Sequence, residues 1–186
     1  MGEIVSYYDE TIKELMLKDG QNLLDIGCGS GRVTRAIKAA YPKAQVTGID
    51  PSGRSLATAM RKARDKGLDI SFVNASAERL PFPDGSFDVV FSSMAFHHMP
   101  TGVKVLAVRE AYRVLRQGGI LMLVDVGKPE GLLMKFLIVP LRIFEIRAYL
   151  KDNLEGRLPA FMEEAGFKVD EARRPYMGIR FLRGKK

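Results

Sequence analysis

Leu23-Leu24-Asp25-Ile26 runs directly into Gly27-Cys28-Gly29-Ser30-Gly31, and a helix-forming stretch, Arg32–Ala40, follows at once. Three glycines alternating within five residues permit a tight turn. They also let a ligand approach bare backbone at the mouth of the next helix, where unpaired N–H groups favour anionic or polar atoms. Such a strand–turn–helix constrains the whole chain, because parallel strands need crossover helices to return them to the same edge.

The remaining sequence alternates accordingly and predicts an α/β fold with a parallel sheet. Ile4, Tyr7, Tyr8, Ile12, Leu15 and Met16 lie near helical spacing across residues 3–18. Strands are expected at Asn22–Ile26, Gln45–Ile49, Ile70–Asn74, Phe87–Ser92 and Ile120–Asp125. Ser52 is suited to cap a helix reaching about Lys66, stopped by Gly67. Thr101 is expected to cap another that runs to Arg116 and ends at Gly118-Gly119. A last helix, Arg157–Ala165, precedes two strands, Phe167–Ala172 and Gly178–Leu182, close enough to form a hairpin. With no repeat, linker or low-complexity segment, residues 1–186 read as a single domain.

Residues 131–150 interrupt this rhythm with the most apolar run of the chain, broken by Lys135 and Pro140 and followed by Arg142, Glu145 and Arg147. A membrane span needs about 20 predominantly apolar residues, so this segment is too short and too charged. It reads as a crossover helix on the sheet, a lid over a substrate pocket, or an interfacial segment making peripheral membrane contact.

Cys28 is the single cysteine, which excludes an internal disulfide framework and a multi-cysteine zinc site. Met1–Asp9 carries Glu3 and Asp9 and lacks a secretory signal pattern, so a cytoplasmic location is expected. The net charge of +7 is concentrated partly in Arg173, Arg174, Arg180, Arg183, Lys185 and Lys186. That excess would attract RNA, anionic lipid or an acidic substrate, or would simply keep the surface solvated. No aromatic-rich RNA-binding signature accompanies it.

The glycine spacing is G-x-G-x-G, and Arg32 stands where the dinucleotide fingerprint would have glycine or alanine. Asp25 is placed to meet an ammonium group. Asp50, at the end of Gly48-Ile49-Asp50, is placed to accept hydrogen bonds from both hydroxyls of a ribose, the competing reading being a turn-forming Asp before Pro51. Together these elements indicate an adenosyl-type ligand without choosing between sulfonium and nicotinamide cofactors.

Asp25 to Gly31, then Asp50, Ala77-Glu78-Arg79-Leu80-Pro81-Phe82-Pro83-Asp84-Gly85-Ser86-Phe87-Asp88-Val89-Val90 and Arg113-Val114-Leu115-Arg116-Gln117-Gly118-Gly119 resemble the class I S-adenosylmethionine (SAM)-dependent methyltransferases. The likeness is closest to the branch related to ubiquinone and menaquinone biosynthesis enzymes, and it covers about residues 20–126 in register. It implies a Rossmann-like three-layer sandwich whose seven-stranded sheet has the order 3-2-1-4-5-7-6, strand seven alone antiparallel. It further implies SAM as cofactor and S-adenosylhomocysteine as product. Asp25, Gly27, Cys28 and Gly29 would hold the methionine part and Asp50 the ribose, while Ser76 and Ala77 would lie beside the adenine. Tyr8, on a helix folding over the cofactor, and Ser92, at the end of strand four, join the implied contacts; Tyr7 shares the Tyr8 reading, and core packing competes for both.

The chain departs from that pattern at Ser76, usually aspartate, at Ser55, often methionine, and at Gln117, usually proline. Adenine recognition is therefore expected to lean on backbone groups and on Pro51 and Leu80. The chemistry is expected at the carboxyl end of strand four, where His97 and His98, the only histidines, would serve as a base or orient the acceptor. Structural hydrogen bonding is their competing role, and no metal is expected. Cys28 reads as a small loop residue, and no Asn-Pro-Pro-Tyr motif follows strand four. The function so implied is methyl transfer to a small-molecule or lipid-like acceptor, with residues 131–150 helping to form an apolar pocket. Alternatives are an RNA methyltransferase using the basic C-terminal surface and a SAM-binding regulatory protein without turnover.

Overall fold

The structure, a computed structural model, describes residues 11–128, 146–176 and 178–186. Helix α1 covers residues 11–15 of the described chain. Strand β1 (Asn22–Ile26), helix α2 (Arg32–Ala40), strand β2 (Gln45–Asp50), helix α3 (Gly53–Arg64) and strand β3 (Ser71–Asn74) follow in the expected alternation. Ser52 caps α3 through its hydroxyl, which accepts from the Ser55 N–H at 3.2 Å. After β4 (Phe87–Ser93) a 3-10 turn, Phe96–His98, leads into α4 (Thr101–Val114) and β5 (Leu115–Val126). Helices α5 (Ile146–Glu155) and α6 (Leu158–Glu164) precede the hairpin of β6 (Lys168–Tyr176) and β7 (Ile179–Lys185).

The seven strands order as β3-β2-β1-β4-β5-β7-β6. All pairs are parallel except those of β7, which runs antiparallel to both β5 and β6. Side-chain alternation divides the core into two apolar layers. Leu24 and Ile26, Val90, Leu121 and Leu123, and Leu182 face α4 and α6. Leu23, Val89 and Phe91, Met122 and Val124, and Phe181 face α1 and α2. The interior strands are therefore apolar on both sides, as buried parallel strands must be.

Three expectations need correction. Thr101 is the first residue of α4, not its cap, and its hydroxyl donates to Asp152 Oδ2 of α5 at 2.7 Å. The same helix stops at Val114, before Gly118-Gly119, because Leu115 turns extended to pair with Phe87. Its last carbonyls are capped from the far end of the chain: the Lys186 ammonium donates to Tyr112 O at 2.6 Å and Leu115 O at 2.7 Å. A cation there also suits the negative end of the helix dipole. Finally, α5 was not foreseen, and of the interrupting segment 131–150 only residues 146–150 lie in the described part, as the first half of that helix.

Three of the C-terminal cations are already engaged. Arg180 pairs with Glu171, Arg183 lies 3.7 Å from Glu14 and 3.8 Å from Asp170, and Lys186 serves the α4 end. No described helix is long and apolar enough to cross a membrane.

Candidate active site

The glycine loop is folded back onto β2. The N–H groups of Gly27 and Cys28 both donate to Ile49 O at 2.9 Å, and Gly29 N–H donates to Asp50 Oδ2 at 2.9 Å. Gly27 sits at φ +73° with Ala95 2.5 Å from where a Cβ would stand, so any side chain would strike the turn after β4. Gly29, at φ +54°, meets nothing within 4 Å, which leaves its backbone open to a ligand. The Cys28 thiol packs against Gly48, and burial pushes it well above the ordinary thiol range, as expected of a loop filler.

Two carboxylates flank this cradle. Asp25 is buried, and Oδ2 accepts the Thr34 hydroxyl at 2.6 Å. Burial raises its carboxyl to about 7, the Thr34 hydrogen bond opposes that rise, and the charge of Asp50 adds to it. A buried acid of this kind gains from a cationic partner. At the end of β2, Asp50 also receives Ser52 N–H on Oδ1 at 2.8 Å. Each oxygen keeps lone-pair capacity for a ligand hydroxyl.

The residues expected on the adenine side differ in exposure. Leu80 is buried in the core, with its N–H on Glu110 Oε2 at 2.8 Å. Pro51 is exposed beside Asp50, Ala77 is buried, and Ser55 starts α3 with its N–H on Ser52. The Ser76 hydroxyl donates to Glu78 Oε2. A carboxylate thus stands two residues beyond Ser76. Ser92 is buried and its hydroxyl donates to Ile26 O at 2.8 Å, which ties β4 to β1. Tyr7 and Tyr8 lie outside the described residues.

The histidines separate in role. His97 is part-buried, and Nδ1 lies 2.7 Å from Asp125 Oδ1 at the carboxyl end of β5. His98 is exposed, with ring centroids 3.9 Å apart, and desolvation beside the His97 ring lowers its pKa. Asp125 accepts Phe96 N–H at 2.8 Å on Oδ2 and Val126 N–H at 2.7 Å on Oδ1. A carboxylate surrounded by donors acts as acceptor, so His97 Nδ1 carries the proton and Nε2 keeps its lone pair. Met94, just upstream, holds a left-handed φ of +53°, the kind of local strain that gathers at working sites.

Asp125 was missed by the sequence reading. The available signal was an acid in the otherwise apolar Ile120–Val126, at a strand end like Asp25 and Asp50. Among the described residues, no group of three His, Cys, Asp or Glu side chains gathers as metal ligands would.

Comparison with known proteins agrees with this geometry. A family model described as a methyltransferase domain matches residues 23–119. The demethylmenaquinone methyltransferase of Thermus thermophilus is 34% identical, over 82% of this chain and 76% of that protein. The 27-O-demethylrifamycin SV methyltransferase of Amycolatopsis mediterranei is 42% identical over 63% of this chain and 44% of that enzyme. Among solved structures, the YcgJ protein of Bacillus subtilis superimposes with a TM-score of 0.73 at 29% identity, covering 89% of this chain and 70% of that one.

Proposed function

Because the chain belongs to the class I SAM-dependent methyltransferases, on the ubiquinone and menaquinone biosynthesis-like branch, we propose that it methylates a small-molecule acceptor bearing an acidic hydroxyl or carbon acid, with His97 as the base. SAM is the cofactor of this family, and when bound it supplies a sulfonium methyl open to in-line displacement. The residues of the cradle fit it: the unobstructed side-chain position at Gly29, the buried acid Asp25 for the ammonium, and Asp50 for the ribose hydroxyls.

The observation that carries the base assignment is the 2.7 Å His97–Asp125 contact. Asp125 orients the imidazole so that Nε2 takes the acceptor proton as the acceptor lone pair engages the methyl, and it stabilises the imidazolium that results. A protonated hydroxyl or carbon acid needs this help; an acceptor that is already anionic, or an amine with a free lone pair, does not. Two named relatives, a demethylmenaquinone and a demethylrifamycin methyltransferase, act on small molecules. The engaged state of Arg180, Arg183 and Lys186 favours such an acceptor over RNA.

Calorimetric titration with S-adenosylhomocysteine tests the premise, and saturable binding at micromolar concentration is expected. Absence of binding at high micromolar concentration would sink the assignment. For the base, His97→Gln is expected to leave that binding within about twofold while lowering turnover of a demethylated quinol by about 10²-fold or more. Equal turnover would remove His97 from the chemistry.

A further inference from the structure

Two consecutive residues of α5 hold opposite ends of the histidine-bearing turn. Asn153 is 1% exposed, and its Nδ2 donates to Asp125 Oδ1 at 3.3 Å and to Val126 O at 3.0 Å. It thereby joins the carboxylate to the backbone of its own strand. Asp152, 1% exposed, reaches the other way. Its Oδ2 accepts the Thr101 hydroxyl at 2.7 Å and lies 3.3 Å from Lys104 Nζ, and its Oδ1 lies 2.8 Å from Arg157. Thr101 opens α4 only three residues after His98. The turn Phe96–His98 is therefore bounded by Asp125 at its start and by Asp152 just past its end.

The donors on Asp125 show why Asn153 matters. Phe96 N–H, His97 N–H and His97 Nδ1 come from the turn itself, and Val126 N–H from the adjoining residue. Among the described residues, Asn153 supplies the donor from a separate element. Without it, the donors from the described residues that remain on the carboxylate come from the turn it is meant to orient and from its own backbone, and its rotamer would follow the histidine. A group that must aim an imidazole has to be fixed independently of it.

We propose that Asn153 is a positioning residue for the His97–Asp125 pair, so that docking of α5 completes the site. The inference rests on the reading of His97 as the base. It also ties that base to α5. The titratable and charged groups around the pair are His98 on the turn, Lys104 on α4, and Asp152 and Arg157 at α5 and its end.

The test uses long-range ¹H–¹⁵N correlation spectra of the full chain at pH 8, where two histidines give two imidazoles and His98→Gln assigns them. The parent is expected to show His97 as the pure Nδ1–H tautomer. Asn153→Ala is expected to mix in the Nε2–H form while S-adenosylhomocysteine affinity stays within about twofold. Arg157→Ala is the control: it loosens α5 at Asp152, and it should lower Tm with the tautomer unchanged. Where Asn153→Ala fails to fold, Asn153→Asp keeps the shape, replaces the donor by an acceptor, and should change the tautomer likewise. A pure Nδ1–H signal in the folded Asn153 variant would overturn the proposal. Failure of the parent to bind S-adenosylhomocysteine would instead strike at the methyltransferase reading and leave the tautomer result standing.

Discussion

At the scale of single residues, the site is built by carboxylates placed where strands end. Asp25 carries a stability cost that can be measured. The unfolded chain loses its proton near the ordinary value of 3.8, and the folded chain retains it to about 7. Between those values the native state holds the extra proton, so its stability falls as pH rises and levels off above about 7, a loss on the order of 4 kcal/mol. Asp25→Asn should therefore raise Tm at pH 8, with no gain at pH 3.5, and should weaken S-adenosylhomocysteine binding. An unchanged Tm at pH 8 would contradict the burial argument. Glu78, whose Oε2 accepts the Ser76 hydroxyl, is the carboxylate we propose for an adenine amino group. Glu78→Gln should weaken S-adenosylhomocysteine by about tenfold, or 1.4 kcal/mol, and should favour the analogue with oxygen in place of that amine; calorimetry with both ligands decides. Asp25, Asp50 and the glycines were legible because their chemistry is local to one turn. The bond of the Ser92 hydroxyl to Ile26 O was not legible, because that partner lies 66 residues away.

Among the elements, the strands and the helices that follow them were readable from periodicity, and β1 and α2 were placed to the residue. Helix α4 was not, since both of its ends depend on distant groups: Asp152 takes the hydroxyl of Thr101, and Lys186 caps the last turn. Helix α5 escaped because its buried polar residues, Asp152 and Asn153, break the apolar pattern on which a helix reading relies. Asp152 also fixes the charge of Lys104, which is fully buried. Asp152→Ala strips that ammonium of its carboxylate and should cost about 3–5 kcal/mol in urea denaturation. A loss below about 1 kcal/mol would mean that Lys104 sheds its proton or finds water.

For the molecule as a whole, the alternation of strand and helix gave the class of fold, and the resemblance gave the strand order that the sheet adopts. Basic residues of the C-terminal stretch looked like a free surface in sequence, yet Arg180, Arg183 and Lys186 are consumed by contacts formed only on folding. The position of β7 between β5 and β6 has a consequence for biosynthesis. Strand β5 is complete at Val126, but among the described residues the strand that covers its second edge is Ile179–Lys185, which leaves the ribosome later. Throughout that interval the nascent chain exposes the open edge of Ile120–Val126, an apolar strand of high β-propensity. Chains arrested after Gly166 should accordingly bind chaperones and sediment as aggregates, whereas the full-length chain stays in the supernatant; equal solubility of the two would mean another segment guards that edge.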